Sequence, residues 1–342
     1  MPERDTSVIA HDLRDTSAPD RNLALELVRV TEAAALAAAR WVGRGDKEEA
    51  DQAAVDAMRF TLQAVPMDGV VVIGEGEKDK APMLYNGEQI GDGSPPEVDV
   101  AVDPLEGTRL TALGQPSALA VVALAERGSM FDPGPCVYME KMAGGTDVAD
   151  LLDLDRPLDQ TLRLIAQRKD SEISDLTVIM LDRERHADAV AAIRNAGARV
   201  RFITDGDVSA ALMAVTPGSG VDLLWGIGGT PEGVLSAAAI KSMGGQMLGR
   251  LWPRNDDERS RAAEAGYDLK EVLDVNRLVA GNDVFFAATG VTDGDLLQGV
   301  RYVGATATTE SLVTRSRSGT VRKVQAQHNR VKLRELTGAR YG

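Results

Sequence analysis

The chain has 342 residues, 44% of them hydrophobic and only 4% aromatic, with a net charge of −14. That length supports a large core of Ala, Val, Leu and Ile and favours two domains over one, while the charge argues against nucleic acid and anionic membranes as partners. The same charge repels an anionic substrate unless bound cations reverse the local field.

Residues 1–19 read as a polar tail without periodicity. Asp20 is expected to cap a long helix from Arg21, with Leu23, Leu27, Val30 and Ala34 on one face. That face can pack within the chain or against a second copy. The loop "GRGDKEEAD" leads to a second helix from about Gln52 to Val65. Val70 to Ile73 reads as a strand entering a glycine-rich acidic loop, and "EVDVAVDP" as a strand ending at Asp103. "ALAVVALAERGSM" and "PCVYMEKMAGG" read as antiparallel neighbours, and Cys136 as a small buried hydrophobe. Turn signals in "GGTDVADLLDLDRP" divide the chain into domains 20–150 and 151–342. From "LTVIMLD" to "PEGVLSAAAIKSMGG", strands alternate with helices in the rhythm of a mainly parallel sheet. "DVFFAATG" precedes a hairpin with its turn near Ser318 and Gly319. The three histidines, His11, His186 and His328, lack zinc spacing. The N-terminus lacks the apolar core of a signal peptide, and the longest apolar run, Ala118 to Ala125, is too short for a bilayer. A soluble cytoplasmic protein is expected.

Five acids fall at the ends of these elements: Asp51, Glu75, Asp103, Glu106 and Glu232. Converging on one sheet edge, they would repel one another and raise one another's pKa. Hard oxygen donors without His or Cys suit Mg²⁺ or Mn²⁺ rather than zinc. Acids at helix starts also arise for dipole reasons alone, which is the plain alternative for Asp51 and Glu232. "DPLEGT", residues 103–108, is harder to explain as an ordinary turn. Pro104 directs the chain out of the strand, Asp103 and Glu106 supply charged oxygens, and Gly107 lets backbone N–H groups approach a phosphate. A helix starting at Thr108 adds partial positive charge there, and the Thr108 hydroxyl can position an attacking water.

"DPLEGT" is similar to the DPxDGT or DPxEGT signature of the lithium-sensitive, metal-dependent sugar and inositol phosphatases. With "WVGRGDKEEAD", "VVIGEGEKDKAPMLYNGE", "YMEKMAGG", "ITDGDV", "GIGGTPEGV" and "ATGVTDGDLLQGV", the chain resembles class II (GlpX-type) fructose-1,6-bisphosphatases from about Asp20 to the C-terminal hairpin. The resemblance implies a layered αβαβα sandwich, with a mainly antiparallel N-terminal sheet and a mainly parallel C-terminal one. It implies hydrolysis of the 1-phosphate of fructose 1,6-bisphosphate in gluconeogenesis, two or three Mg²⁺ or Mn²⁺ ions, and a homodimer or homotetramer. By resemblance the metal ligands are Asp51, Glu75, Asp103, Glu106 and Glu232. The phosphate loop is Glu106, Gly107 and Thr108. The sugar and distal phosphate meet Tyr138, Arg183, Glu184, Arg185, Asp205, Gly206, Asp207 and Gly229. Asp79 corresponds to an acid that helps activate water, and Lys47 to a loop near the metals.

The motifs do not separate fructose 1,6-bisphosphate from sedoheptulose 1,7-bisphosphate. An inositol monophosphatase is disfavoured, because "GGTPEG" stands where those enzymes carry a Trp-Asp motif. A non-catalytic sensor could have lost Thr108 or a metal carboxylate, and all are present. Glu184 lies between the two arginines where the family often has proline. His186 reads as a helix N-terminal residue rather than an acid catalyst.

Overall fold

The computed structural model describes residues 22–76 and 83–337. The expected tail, the Asp20 cap and Asp79 lie outside the described residues. Helix α1 (Ala24–Ala38) begins where Asn22 Oδ1 accepts the Ala24 N–H at 3.0 Å. Helix α2 (Lys47–Leu62) starts about five residues earlier than its pattern suggests. Asp46 accepts the Glu49 N–H at 3.1 Å, and Glu48 and Glu49 occupy the first turn, where the helix dipole favours acids. Asp51 therefore does not open this helix; it sits in its second turn.

The first strands are β1 (Asp68–Ile73), β2 (Gln89–Ile90) and β3 (Glu97–Glu106), followed by α3 (Thr108–Leu113) and β4 (Leu119–Glu126). Next come β5 (Tyr138–Gly144), α4 (Leu158–Arg168), β6 (Thr177–Leu181), α5 (Ala187–Ala196) and β7 (Arg199–Ile203). The chain continues through α6 (Asp207–Val215), β8 (Leu223–Gly229), α7 (Thr230–Met243), β9 (Gln246–Leu251), α8 (Asp256–Glu264) and α9 (Val275–Leu278). It closes with β10 (Phe285–Gly290), β11 (Arg301–Val303), β12 (Thr306–Arg315), β13 (Thr320–Asn329) and α10 (Arg330–Thr337). The β12–β13 turn falls at residues 316–319, with Gly319 left-handed at φ +57°, as the hairpin pattern predicts.

Two mixed sheets result. The larger runs β11-β12-β10-β4-β3-β1-β2, with β13 also pairing β12, and its one parallel contact along that path is β1 with β3. The smaller runs β7-β6-β8-β5-β9. In it β6 is parallel to β7 and β8, while β5 is antiparallel to both β8 and β9, so four strands point one way and β5 opposes them. The expected pairing of β4 with β5 does not occur: β4 lies between β3 and β10, and β5 between β8 and β9. Alternation within a strand says which residues share a face, but not which sheet receives it.

Three apolar layers bind five layers of structure. Leu27, Val30 and Ala34 of α1 and Met58 of α2 pack on Val71, Val100 and Val122 of the larger sheet. The α1 face is thus used within the chain. The opposite face of that sheet meets α6, α7 and the smaller sheet through Val121, Phe286, Leu212, Val234 and Met139. Leu162 of α4 and Ile193 of α5 cover the outer side of the smaller sheet with Val178 and Met180. Cys136 is buried in the middle layer, as expected of a free thiol acting as a hydrophobe. Among the described residues, no helix is long and apolar enough to cross a membrane.

Candidate active site

"DPLEGT" is built around a β-bulge. Asp103 pairs with Val121 and Glu106 with Leu119, so Pro104 and Leu105 lie opposite the single residue Ala120. In a regular strand, residues three apart point to opposite faces. The extra residue cancels that alternation and brings Asp103 and Glu106 to the same face, the one that Leu119 and Val121 present to the middle layer. Proline is tolerated because a bulge does not require every N–H in the ladder. Gly107 then turns at φ +88°, a left-handed conformation that disfavours side chains, and Thr108 opens α3.

A cleft of about 510 Å³ opens at this point. Its walls include Asp51, Glu75, Asp103, Glu106 and Glu232, together with Gly107, Thr108, Tyr138, Arg183, Arg185, Asp205, Asp207 and Gly229. Most of the residues singled out in sequence are therefore brought together from α2, β3, α3, β5, α6, β8, α7 and the loops after β1, β6 and β7. Glu184 is exposed and does not line the cleft. Lys47 is exposed at the first turn of α2 and does not line it either. Gly206 is left-handed at φ +95° and delivers Asp207 to the start of α6.

The acids show their crowding. Burial and then Asp51 push Glu75 up to about 7. Glu106 is pushed up to about 8 by burial, although the Val208 N–H bond opposes this. Asp103 is raised well above its ordinary value by burial and by Glu106, Glu75, Glu232 and Asp51. Glu232 is raised by burial, with Lys141 opposing. Glu106 Oε1 accepts the Val208 N–H at 2.7 Å, but Glu106 Oε2 and Glu232 Oε2 are buried without a hydrogen-bond partner. Orphaned carboxyl oxygens in an all-carboxylate donor set suit a hard divalent cation. Among the described residues, no three acidic, imidazole or thiol groups converge on one point at coordinating distance.

On the opposite wall, Arg185 lies 4.9 Å from the Tyr138 ring and donates to the Ile227 carbonyl at 2.6 and 3.2 Å. Arg183 donates to the carbonyls of Asp182 and Thr204. Arg254, outside the cleft lining, lies 5.6 Å from the same ring and is held by Glu258; sequence reasoning did not single it out. It also missed Lys141, whose position in phase with Met139 and Ala143 on β5 was the available signal.

His186 is structural. Ladder pairing between β6 and β8 covers only Val178–Leu223 and Ile179–Leu224, and beyond that the strands part. The imidazole spans the gap: Nδ1 donates to the Leu181 carbonyl at 2.8 Å and Nε2 accepts the Ile227 N–H at 2.9 Å. These bonds require the neutral ring, and burial lowers its pKa accordingly. His186→Ala should destabilise the protein by about 2–4 kcal/mol, from two orphaned backbone groups and a cavity. Urea denaturation checks this, and an unchanged midpoint would contradict it. The parting of the strands opens the cleft at the carboxyl ends of β6 and β8, where open α/β sheets take ligands.

A profile of the family described as bacterial fructose-1,6-bisphosphatase, glpX-encoded, matches residues 21–328. The chain is 47% identical over 322 residues to the class 2 fructose-1,6-bisphosphatase of Haemophilus influenzae, covering 90% of this chain and 96% of that protein. It is 46% identical over 334 residues to proteins of two Synechococcus strains, JA-3-3Ab and JA-2-3B'a(2-13), again covering 90% and 96%. Both are named D-fructose 1,6-bisphosphatase class 2/sedoheptulose 1,7-bisphosphatase.

Proposed function

Because the chain belongs to the glpX-encoded family of bacterial fructose-1,6-bisphosphatases, we propose that it hydrolyses the 1-phosphate of fructose 1,6-bisphosphate in the cytoplasm, yielding fructose 6-phosphate and phosphate. The observation that carries this reading is the bulge at Pro104 and Leu105, which sets two carboxylates beside the start of α3 in one cleft. Asp51, Glu75, Asp103, Glu106 and Glu232 would hold Mg²⁺ or Mn²⁺, two or three ions in all. When bound, such ions supply Lewis acidity and lower the pKa of water.

The chain's own residues do the remaining work. Gly107 leaves the backbone open to the reacting phosphate, and the Thr108 hydroxyl orients the attacking water. Arg183 and Arg185 grip the distal phosphate, Tyr138 flanks it, and Asp205 and Asp207 accept from sugar hydroxyls. Asp79 remains a candidate proton acceptor, and Lys47, at the first turn of α2 rather than in a loop, a candidate to approach the metals. Glu184, exposed beside the arginines, would act on the distal phosphate only as a repulsive charge.

Phosphate release from fructose 1,6-bisphosphate, with Mg²⁺ or Mn²⁺ and then with excess chelator, tests the assignment. Turnover should stop on chelation, and undiminished turnover would overturn it. Sedoheptulose 1,7-bisphosphate belongs in the same assay, because the two cyanobacterial relatives carry both activities in their names. Arg185→Ala should raise KM for the bisphosphate by about tenfold or more while kcat changes far less, as loss of a charge-assisted grip on a non-reacting group does. Equal KM in the variant would release Arg185 from that role. A homodimer or homotetramer would have to use a surface other than the apolar face of α1, and native mass spectrometry gives the stoichiometry.

A further inference from the structure

Lys141 is the buried cation of this centre and is not accounted for by the roles above. Its side chain is 3% exposed, although lysine is almost never fully buried without a partner. The ammonium donates to Asp207 Oδ2 and, at 3.0 Å, to the Gly229 carbonyl. Lys141 does not line the cleft; Asp207 and Gly229 do. The lysine therefore stands behind the wall that the substrate meets.

The surrounding sequence is shaped to admit it. On β5, Lys141 is paired with Gly226 of β8 and Gly249 of β9, so neither cross-strand neighbour has a side chain. A Cβ on Gly228 would come 3.1 Å from Lys141 Nζ and 1.9 Å from Asp207 Oδ2. A Cβ on Gly233 of α7 would come 3.4 Å from Lys141 Cδ. Gly228 of β8 and Gly233 of α7 thus leave room for the end of the aliphatic stem and the ion pair, whereas Gly226 and Gly249 make room for His186 and Met139.

The tie also has a direction. Asp207 is the first residue of α6, and the next residue, Val208, is held through its N–H by Glu106. Glu106 belongs to the phosphate end of the cleft, and Lys141 reaches α6 from the other side. The two bonds fix where α6 begins between them.

We propose that Lys141 is a positioning residue for the sugar: from behind the cleft wall it holds the Asp207 carboxylate in place and supplies its counter-charge, so that Asp207 can accept from sugar hydroxyls, its hydrogen bonds going to Asp207 and Gly229 and to none of the five acids assigned to the metal. This rests on the sugar-phosphate reading above. It separates two ligands that a general structural role would not separate. Fructose 6-phosphate uses the sugar wall, whereas inorganic phosphate needs only the Gly107–Thr108 end.

The test measures binding of fructose 6-phosphate and of inorganic phosphate to the full chain with Mg²⁺, by calorimetry, for wild type, Lys141→Met, Asp207→Asn and the double variant. Lys141→Met should weaken fructose 6-phosphate by about tenfold or more and phosphate by less than about twofold, and adding it to Asp207→Asn should cost nothing further, the coupling expected of residues that act as a unit. Equal weakening of both ligands, unchanged sugar-phosphate affinity, or an additional loss in the double variant would overturn the proposal. Should Lys141→Met alone fail to unfold cooperatively, the double variant, which leaves no unpaired buried charge, is compared with wild type, and phosphate weakened as much as fructose 6-phosphate overturns the proposal. A wild type that neither binds fructose 6-phosphate nor releases phosphate from the bisphosphate removes the substrate reading and this proposal together. A wild type that does both, beside an indifferent Lys141→Met, removes this proposal alone.

Discussion

Thr108→Ala is expected to lower kcat by about 100-fold or more while leaving the fold intact, as loss of a group that orients a reacting water does. Thr108 is half-buried in the cleft wall as the first residue of α3, directly after the left-handed Gly107. Alanine is a better helix former than threonine, so the substitution should not loosen α3, and any loss of rate belongs to the hydroxyl. If that hydroxyl acts on the attacking water, KM should move little and Thr108→Ser should recover most of the rate. A Thr108→Ala enzyme with wild-type kcat, or a Thr108→Ser enzyme no better than it, would take the hydroxyl out of the chemistry.

The second large effect is on stability in the absence of metal. Burial and neighbouring carboxylates raise Glu75 to about 7 and Glu106 to about 8, against about 4.3 for an exposed glutamate. Raised acids make the folded state bind protons more tightly than the unfolded one. Their stabilising contribution is complete below the unfolded value and is lost as pH rises through about 7 and about 8. A tenfold difference in proton affinity between the two states is worth about 1.4 kcal/mol. His186 works in the opposite sense: its lowered pKa makes its contribution complete above about 6.5 and lost at lower pH. Between pH 6.5 and 9 the carboxylates therefore dominate. In chelator, Tm should fall by about 5 °C or more across that window. Added Mg²⁺ or Mn²⁺ should raise Tm most at pH 9, because a cation that binds only the folded, ionised site stabilises it there. A Tm that is flat or rises toward pH 9 in chelator would contradict the crowding of acids in the cleft.

What the sequence made legible follows from where the information lies. Local patterns announced β1, β3, β10, the final hairpin and the βα rhythm from β6 to α7, because alternation and turn residues act over a few positions. The start of α2 was hidden because Lys47, Glu48 and Glu49 carry no apolar signal, and Asp46 rather than Asp51 closes the first turn. The partners of β5 lie on β8 and β9, far along the chain, and nothing local points to them. In the cleft, residue types were readable but their geometry was not. "DPLEGT" shows two acids three apart, and only the register against β4 shows that a bulge turns both inward. Arg183 and Arg185 reach the cleft while Glu184 between them is exposed, because the chain leaves the extended Arg183 for a 3-10 turn over Glu184–His186, whose successive side chains point about 120° apart. Lys141 escaped notice because a lysine in a strand usually signals solvent, and the glycines that admit it belong to β8 and to α7.

The order of strands in the larger sheet has a consequence for biosynthesis. β4 takes β10 as its neighbour, and β10 leaves the ribosome roughly 160 residues later, followed by β12 and β13. Until then one side of β4, whose residues Leu119 to Ala125 are all buried in the finished protein, is a bare hydrophobic edge. The nascent chain carries that unpaired edge for nearly half of its translation, which makes loss of the last strands far more damaging than their position at the end of the chain suggests.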